Sequence, residues 1–156
     1  MIEKHGNLFD TDARYIGHGV NTVGLMGAGI AKQFKYRYPQ NYDTYKGMCE
    51  NGLLTPGHFL VTMNNEGTDD WRLVVNFASQ GQPGPNATYK LLLTSLLAFS
   101  SKASREERLN LYGNRVAIPE IGCGIGGLEW EGARTIIEAV ETIHPAIEYE
   151  VWHYAG

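Results

Sequence analysis

Chemistry in this chain is concentrated in two stretches that are poor in side chains. The first, Val20-Asn21-Thr22-Val23-Gly24-Leu25-Met26-Gly27-Ala28-Gly29-Ile30-Ala31, carries three glycines in six positions. It runs into a segment with Ile30, Ala31, Phe34 and Tyr38 at roughly helical spacing. A bare loop entering a helix presents unpaired N–H groups at the positive end of the helix dipole, a natural seat for phosphate oxygens. Gly27, Ala28, Gly29 and Ile30 are therefore candidate anion ligands through their backbone. A tight strand-to-helix turn without a ligand is the plainer alternative.

The second stretch, Gly122-Cys123-Gly124-Ile125-Gly126-Gly127, follows a short apolar run and satisfies the dinucleotide spacing Gly122-x-Gly124-x-x-Gly127. Only 156 − 127 = 29 residues follow it, too few for a dinucleotide half-site, so a Rossmann enzyme is set aside. The local physics survives: a loop of Gly122, Cys123, Gly124, Ile125, Gly126 and Gly127 still makes a backbone-lined cradle. Two cradles, one after an early strand and one after a late strand, can grip a single diphosphate from both sides.

A few side chains nearby have chemistry of their own. Asn21 offers a donor and an acceptor suited to a sugar diol, or else shapes a turn. His18 titrates near neutrality when unperturbed and is a candidate acid or base, although between Gly17 and Gly19 a structural role is simpler. Cys123, placed at the mouth of a helix, would have a lowered thiol pKa, yet without a histidine partner in the pattern it reads more simply as a packed small residue. Trp152 and Tyr154 either stack on a base or fill the core. The pairs Asp69-Asp70 and Glu106-Glu107 sit in polar stretches and read as solvated surface.

The elements that must position these groups follow from periodicity. Ile2 to His5 and Tyr15 to Val20 read as strands separated by turn formers. The helix after the glycine loop must stop before Pro39, and Asp43 to Cys49 suggests another short helical piece. His58 to Met63 and Arg72 to Ala78 read as a hairpin. Ser79 to Ala87 is too rich in Gly and Pro for a regular element. Tyr89, Leu92, Leu93, Leu96 and Leu97 then form a helical stripe, with Asn86 or Thr88 as N-cap. Arg115 to Glu120 is a short strand, Ala133 to Ile143 a helix stopped by Pro145, and Tyr149 to Tyr154 a closing strand. Alternating strands and helices predict a layered α/β sandwich, and the hairpin makes its sheet mixed. Ligands in such folds sit at the carboxyl ends of the strands, where both glycine loops fall.

Composition bounds the rest. A chain of 156 residues with 43% hydrophobic and 19% charged content fits one domain with its own core. A net charge of -4 without a basic run argues against a polyanion-binding surface but not against a pocket for one small anion. Two distant cysteines make no metal or redox motif and suggest reduced thiols. No run approaches transmembrane length and no signal-peptide core is present, so a cytoplasmic protein without membrane contact is expected.

Taken together, the motifs resemble a macro domain. The resemblance rests on Gly6-Asn7-Leu8-Phe9, on Gly17-His18-Gly19-Val20-Asn21 running into Leu25-Met26-Gly27-Ala28-Gly29-Ile30-Ala31, on Pro56-Gly57, on Ala87-Thr88-Tyr89, and on Pro119-Glu120-Ile121-Gly122-Cys123-Gly124. It spans nearly the whole chain in order. It points to the branch with terminal ADP-ribose protein glycohydrolases and DNA ADP-ribosyl hydrolase antitoxins, rather than the branch with Asn-Ala-Ala-Asn. It implies one domain over residues 1–156, a three-layer α/β/α sandwich with a mixed central sheet, that binds ADP-ribose without a metal or cofactor. By position, Asn21 and Gly27 to Ile30 would face the distal ribose and diphosphate, Gly122 to Gly127 would oppose them, Trp152 or Tyr154 would lie near the adenine with Asn7, and Leu8 would also line the ligand site. The partners implied are ADP-ribose or an ADP-ribosylated protein or nucleic acid, with the chain a monomer.

The activity implied is hydrolysis of an ADP-ribosyl adduct or of ADP-ribose 1″-phosphate; a reader module without turnover is the alternative. Three departures bear on that choice. Many macro domains carry Asp where this chain has Asn7. The glycohydrolases' lysine aligns with Gln80, which forms no Schiff base. The terminal glycohydrolases' aspartate aligns with Gly126.

Overall fold

A computed structural model describes residues 1–106 and 112–154 of the chain; Glu107, paired with Glu106 above, lies outside them. Six strands, β1 (Ile2–His5), β2 (Tyr15–Gly19), β3 (Phe59–Asn64), β4 (Arg72–Phe77), β5 (Arg115–Ile118) and β6 (Glu148–His153), form one sheet in the order β1-β6-β5-β2-β4-β3. Every neighbouring pair is parallel except the β3–β4 hairpin, which aligns Phe59 with Phe77 and Asn64 with Arg72. The sheet is thus mixed, as the hairpin predicts.

Helices cover both faces. The interior strand β4 is buried along its whole length, and its alternating side chains divide between two cores. Leu73, Val75 and Phe77 pack under α3 (Tyr89–Ser104) and α4 (Trp130–Ile143), which supply Leu92, Leu96, Phe99, Ala133, Ile137 and Val140. On the opposite face, Ile16, Val74 and Ala117 meet Phe34 and Tyr38 from α1 (Gly29–Arg37) and its C-cap, while Tyr45 of α2 (Pro39–Glu50) packs with Val20 and Ala78. This is the three-layer α/β/α sandwich.

Several boundaries differ from those read in the sequence, among them β5, which ends at Ile118 rather than Glu120. The second helix begins at Pro39 rather than Asp43, because the proline that ends α1 stands in the first turn of α2, where its missing N–H costs nothing. The last strand stops at His153, leaving Tyr154 beyond the sheet. Of the two candidate caps, Thr88 accepts from the Leu91 N–H, whereas Asn86 donates to the Pro83 carbonyl instead.

Candidate functional site

The carboxyl ends of β2, β5 and β6 open into a cleft of about 750 Å³, within the usual range for a small-molecule site. Both glycine loops line it, with Gly27 to Ile30 on one wall and Gly122, Gly124, Ile125 and Gly126 on the other. They come close together: a Cβ placed on Gly29 would lie 3.1 Å from Ile125 Cδ1, and Gly29 has φ +59°, a backbone that favours glycine.

The first wall is the N-terminus of α1. Its N-cap is Ala28, and no side chain caps it, so the opening N–H groups are left for solvent or a ligand. Asn21 lines the cleft and also builds this loop. Its Oδ1 accepts from the N–H groups of Val23 and Leu25 at 3.1 and 3.4 Å, and its Nδ2 donates to the Leu25 carbonyl at 2.8 Å. The buried Tyr45 hydroxyl donates to the same residue, 2.7 Å from its carbonyl and 2.8 Å from Oδ1. Asn21 is therefore a turn former and a cleft residue at once, with one N–H left over for a ligand.

The second wall is a self-closed turn. Leu128 donates its N–H to Gly122, Cys123 to Glu120 and Gly127 to Gly124, while Gly126 accepts from Ala87. The following helix starts only at Trp130, so Cys123 does not stand at a helix mouth. Burial, with Glu120 adding to it, pushes its thiol up to about 11, the reverse of an activated nucleophile. Cys123 and Gly127 do not line the cleft; their neighbours do. Gly126 has no room for a larger residue, since a Cβ there would sit 2.6 Å from the Gly122 carbonyl oxygen and 2.9 Å from Ala87.

His18 does not line the cleft. It points away from the cleft into the α1 face, 0% exposed and stacked on Phe34 at 3.9 Å between ring centroids. Burial lowers its pKa to about 4, only partly opposed by the 2.9 Å bond from Nε2 to Asn76 Oδ1. A neutral, inaccessible imidazole cannot exchange protons with a bound ligand.

At the other end of the cleft stand Asn7, Leu8, Trp152 and, on the lip at 80% exposure, Tyr154. Asn7 Oδ1 accepts from the Phe9 N–H at 3.0 Å, and Trp152 Nε1 donates to Glu150 Oε1 at 2.6 Å. Gln80 also lines the cleft, its Nε2 donating to the carbonyls of Gln82 and Gly84 at 2.7 and 2.9 Å and so holding the irregular segment after β4. Sequence reasoning missed the contributions of Tyr45, Ser79 and Glu120. Ser79 and Glu120 line the cleft, and Ser79 Oγ is buried without a hydrogen-bond partner among the described residues. Glu120 is the one charged side chain among the described cleft residues. Its Oε1 lies 2.5 Å from His153 Nδ1, while His153 Nε2 lies 2.9 Å from Glu3 Oε1. Burial works against the charged imidazole, but the two carboxylates outweigh it and hold the His153 pKa above the ordinary value. Pro119-Glu120 stood in the quoted motif, yet nothing local to it marks a residue that β6 will meet across the sheet.

The fold and the paired loops define a class, the α/β/α sandwiches that cradle a ligand in backbone at the strand ends. Comparison narrows it: a family model described as Macro domain matches residues 18–137, and the chain belongs to that family. A DNA ADP-ribosyl glycohydrolase of Mycobacterium tuberculosis is 35% identical over 129 residues, covering 81% of this chain and 34% of the relative. An ADP-ribose 1″-phosphate phosphatase of Candida albicans is 24% identical over 132 residues, covering 83% of each. The macrodomain of Mycobacterium tuberculosis DarG superposes with a TM-score of 0.80 at 27% identity, covering 97% of both chains. The chain spans only 34% to 39% of the length of the glycohydrolases it matches. Among the described residues no helix is long and apolar enough to cross a membrane.

Proposed function

We propose that the cleft binds ADP-ribose and that the chain, acting as one cytoplasmic macro domain over residues 1–156 and as a monomer, hydrolyses an ADP-ribosyl adduct or ADP-ribose 1″-phosphate. The observation that carries this reading is that the two glycine loops line one cleft and approach each other closely across it. Backbone N–H groups at the α1 N-terminus and in the 122–126 turn would hold the diphosphate. The free N–H of Asn21 would meet the distal ribose, and Trp152 and Tyr154 would border the adenine beside Asn7 and Leu8. With His18 out of reach and no lysine among the described cleft residues, the nucleophile is a water aligned by Asn21 and the ligand's own diphosphate. In the adduct reaction that water attacks the distal anomeric carbon, the bond to the carrier breaks, and the water's proton goes to the departing group. The names of the M. tuberculosis and C. albicans relatives support hydrolysis.

A reader module that binds without turnover is the second reading. It is favoured by Gln80 and Gly126 standing where the catalytic lysine and aspartate align. Calorimetry with ADP-ribose tests binding, and release of ADP-ribose or phosphate from ADP-ribosylated DNA, ADP-ribosylated protein and ADP-ribose 1″-phosphate tests turnover. Binding without release from any of them overturns the hydrolase reading and leaves the reader. Gly124 lines the cleft, and a Cβ added there would meet nothing within 4 Å, so Gly124→Glu fills the cradle with an anion and should weaken ADP-ribose by at least about tenfold. Unchanged affinity would put the diphosphate elsewhere.

A further inference from the structure

Glu120 is an odd residue for a diphosphate cleft. Among the described lining residues it alone is charged, and its charge is that of the ligand. A carboxylate in such a place repels phosphate, so it must face a part of the ligand that donates hydrogen bonds. Its position along the cleft identifies that part. Glu120 stands two residues ahead of Gly122, where the phosphate-facing turn begins, and is fastened by His153 to the end of β6, between Trp152 and Tyr154. It therefore lies between the backbone cradle on one side and the aromatic end on the other. In a nucleotide the group between base and diphosphate is the ribose.

We propose that Glu120 accepts hydrogen bonds from the 2′- and 3′-hydroxyls of the adenosine ribose, with His153 as its positioning residue. This rests on the ADP-ribose reading and goes beyond it by assigning the residue that reads the sugar. The chemistry matches: two carboxylate oxygens face two vicinal hydroxyls, as an acidic side chain does for the ribose diol in dinucleotide folds. His153 Nδ1 holds Oε1, while Oε2 makes no hydrogen bond among the described residues. His153 is fixed in turn by Glu3, which is itself 3.6 Å from Arg134 on α4. The carboxylate is thus aimed by a chain of contacts reaching from β6 to β1 and α4, and the imidazole offsets its charge beside the diphosphate. A 2′-phosphate would set two anions against each other, so the same residue excludes the 2′-phosphorylated ligand.

The test is calorimetry on the whole chain with three probes: ADP-ribose, its analogue lacking the adenosine 2′-hydroxyl, and its adenosine 2′-phosphate. The wild-type protein should bind the 2′-deoxy analogue about tenfold more weakly than ADP-ribose, and the 2′-phosphate more weakly still. Glu120→Ala should bring the first two to within about twofold of each other and recover part of the 2′-phosphate binding. Glu120→Gln, which keeps the shape and one acceptor, should fall between. His153→Phe should narrow the ratio while ADP-ribose still binds, and an unchanged ratio overturns the positioning role. Equal wild-type binding of ADP-ribose and its 2′-deoxy analogue, or a preference that survives in Glu120→Ala, overturns the proposal while the ADP-ribose reading stands. Failure of the wild type to bind ADP-ribose at millimolar concentration overturns both.

Discussion

Two histidines in this molecule respond to pH in opposite directions. His18 is held neutral by burial, its pKa lowered to about 4 from an ordinary 6.5. The unfolded chain takes up a proton that the folded chain refuses, so the stability linked to His18 is complete above pH 6.5 and is lost as pH falls toward 4. A shift of that size corresponds to about 3 kcal/mol, measurable as a steeper acid decline in urea unfolding of the wild type than of His18→Gln. His153 has a raised pKa, so its contribution is complete below the ordinary value and lost as pH rises through the folded one. The same environment that gives His18 this titration removes it from catalysis. Gly126 raises a second prediction. An aspartate placed there should not raise turnover, because its Cβ would press on the Gly122 carbonyl at 2.6 Å. Gly126→Asp should instead lower the unfolding free energy by about 1–3 kcal/mol, read from the shift in the denaturation midpoint.

The loop between β2 and α1 is built from a second element. Tyr45 on α2 reaches under it to the carbonyl and amide oxygens of Asn21, so the cleft-facing backbone is supported by a helix that does not line the cleft. Tyr45→Phe keeps the ring packing and removes that bond, and should cost about 1–2 kcal/mol of stability along with faster amide exchange at Val23 and Leu25. Such support explains what was legible in the sequence. The glycine loops, the α3 and α4 stripes and the β3–β4 hairpin are written in local spacing, and each appears where the spacing places it. Asn21 was legible as a choice between turn former and ligand, and the fold makes it a turn former that still faces the cleft. The contacts of Tyr45 with Asn21 and of Glu120 with His153 join residues 24 and 33 positions apart, which no periodicity encodes. The misplacement of Cys123 came from taking the glycine run as the start of a helix, when Leu128 and Glu129 still stand between that run and Trp130.

At the scale of the whole molecule, the cleft has no cation among its described lining residues, and the chain carries a net charge of -4. Anion binding here would depend on oriented N–H dipoles at short range rather than on a field gathered from lysines and arginines. Affinity for ADP-ribose should therefore change by less than about threefold between about 0.05 and 0.5 M salt, a comparison that titration calorimetry makes directly. A steep loss with salt would show that side-chain cations outside the described cleft take part. The pairing of β1 with β6, which sets Ile2 beside Glu150 and His5 beside His153, has its own consequence during synthesis. The edge strand β1 must wait for β6, its partner much later in the chain. The nascent chain on the ribosome can assemble the hairpin and the α1 layer early, yet Asn7 and Leu8 gain Trp152 as a neighbour only once β6 has emerged. The aromatic end of the cleft then becomes competent only after β6 has emerged, and chains that stop short of β6 lack it.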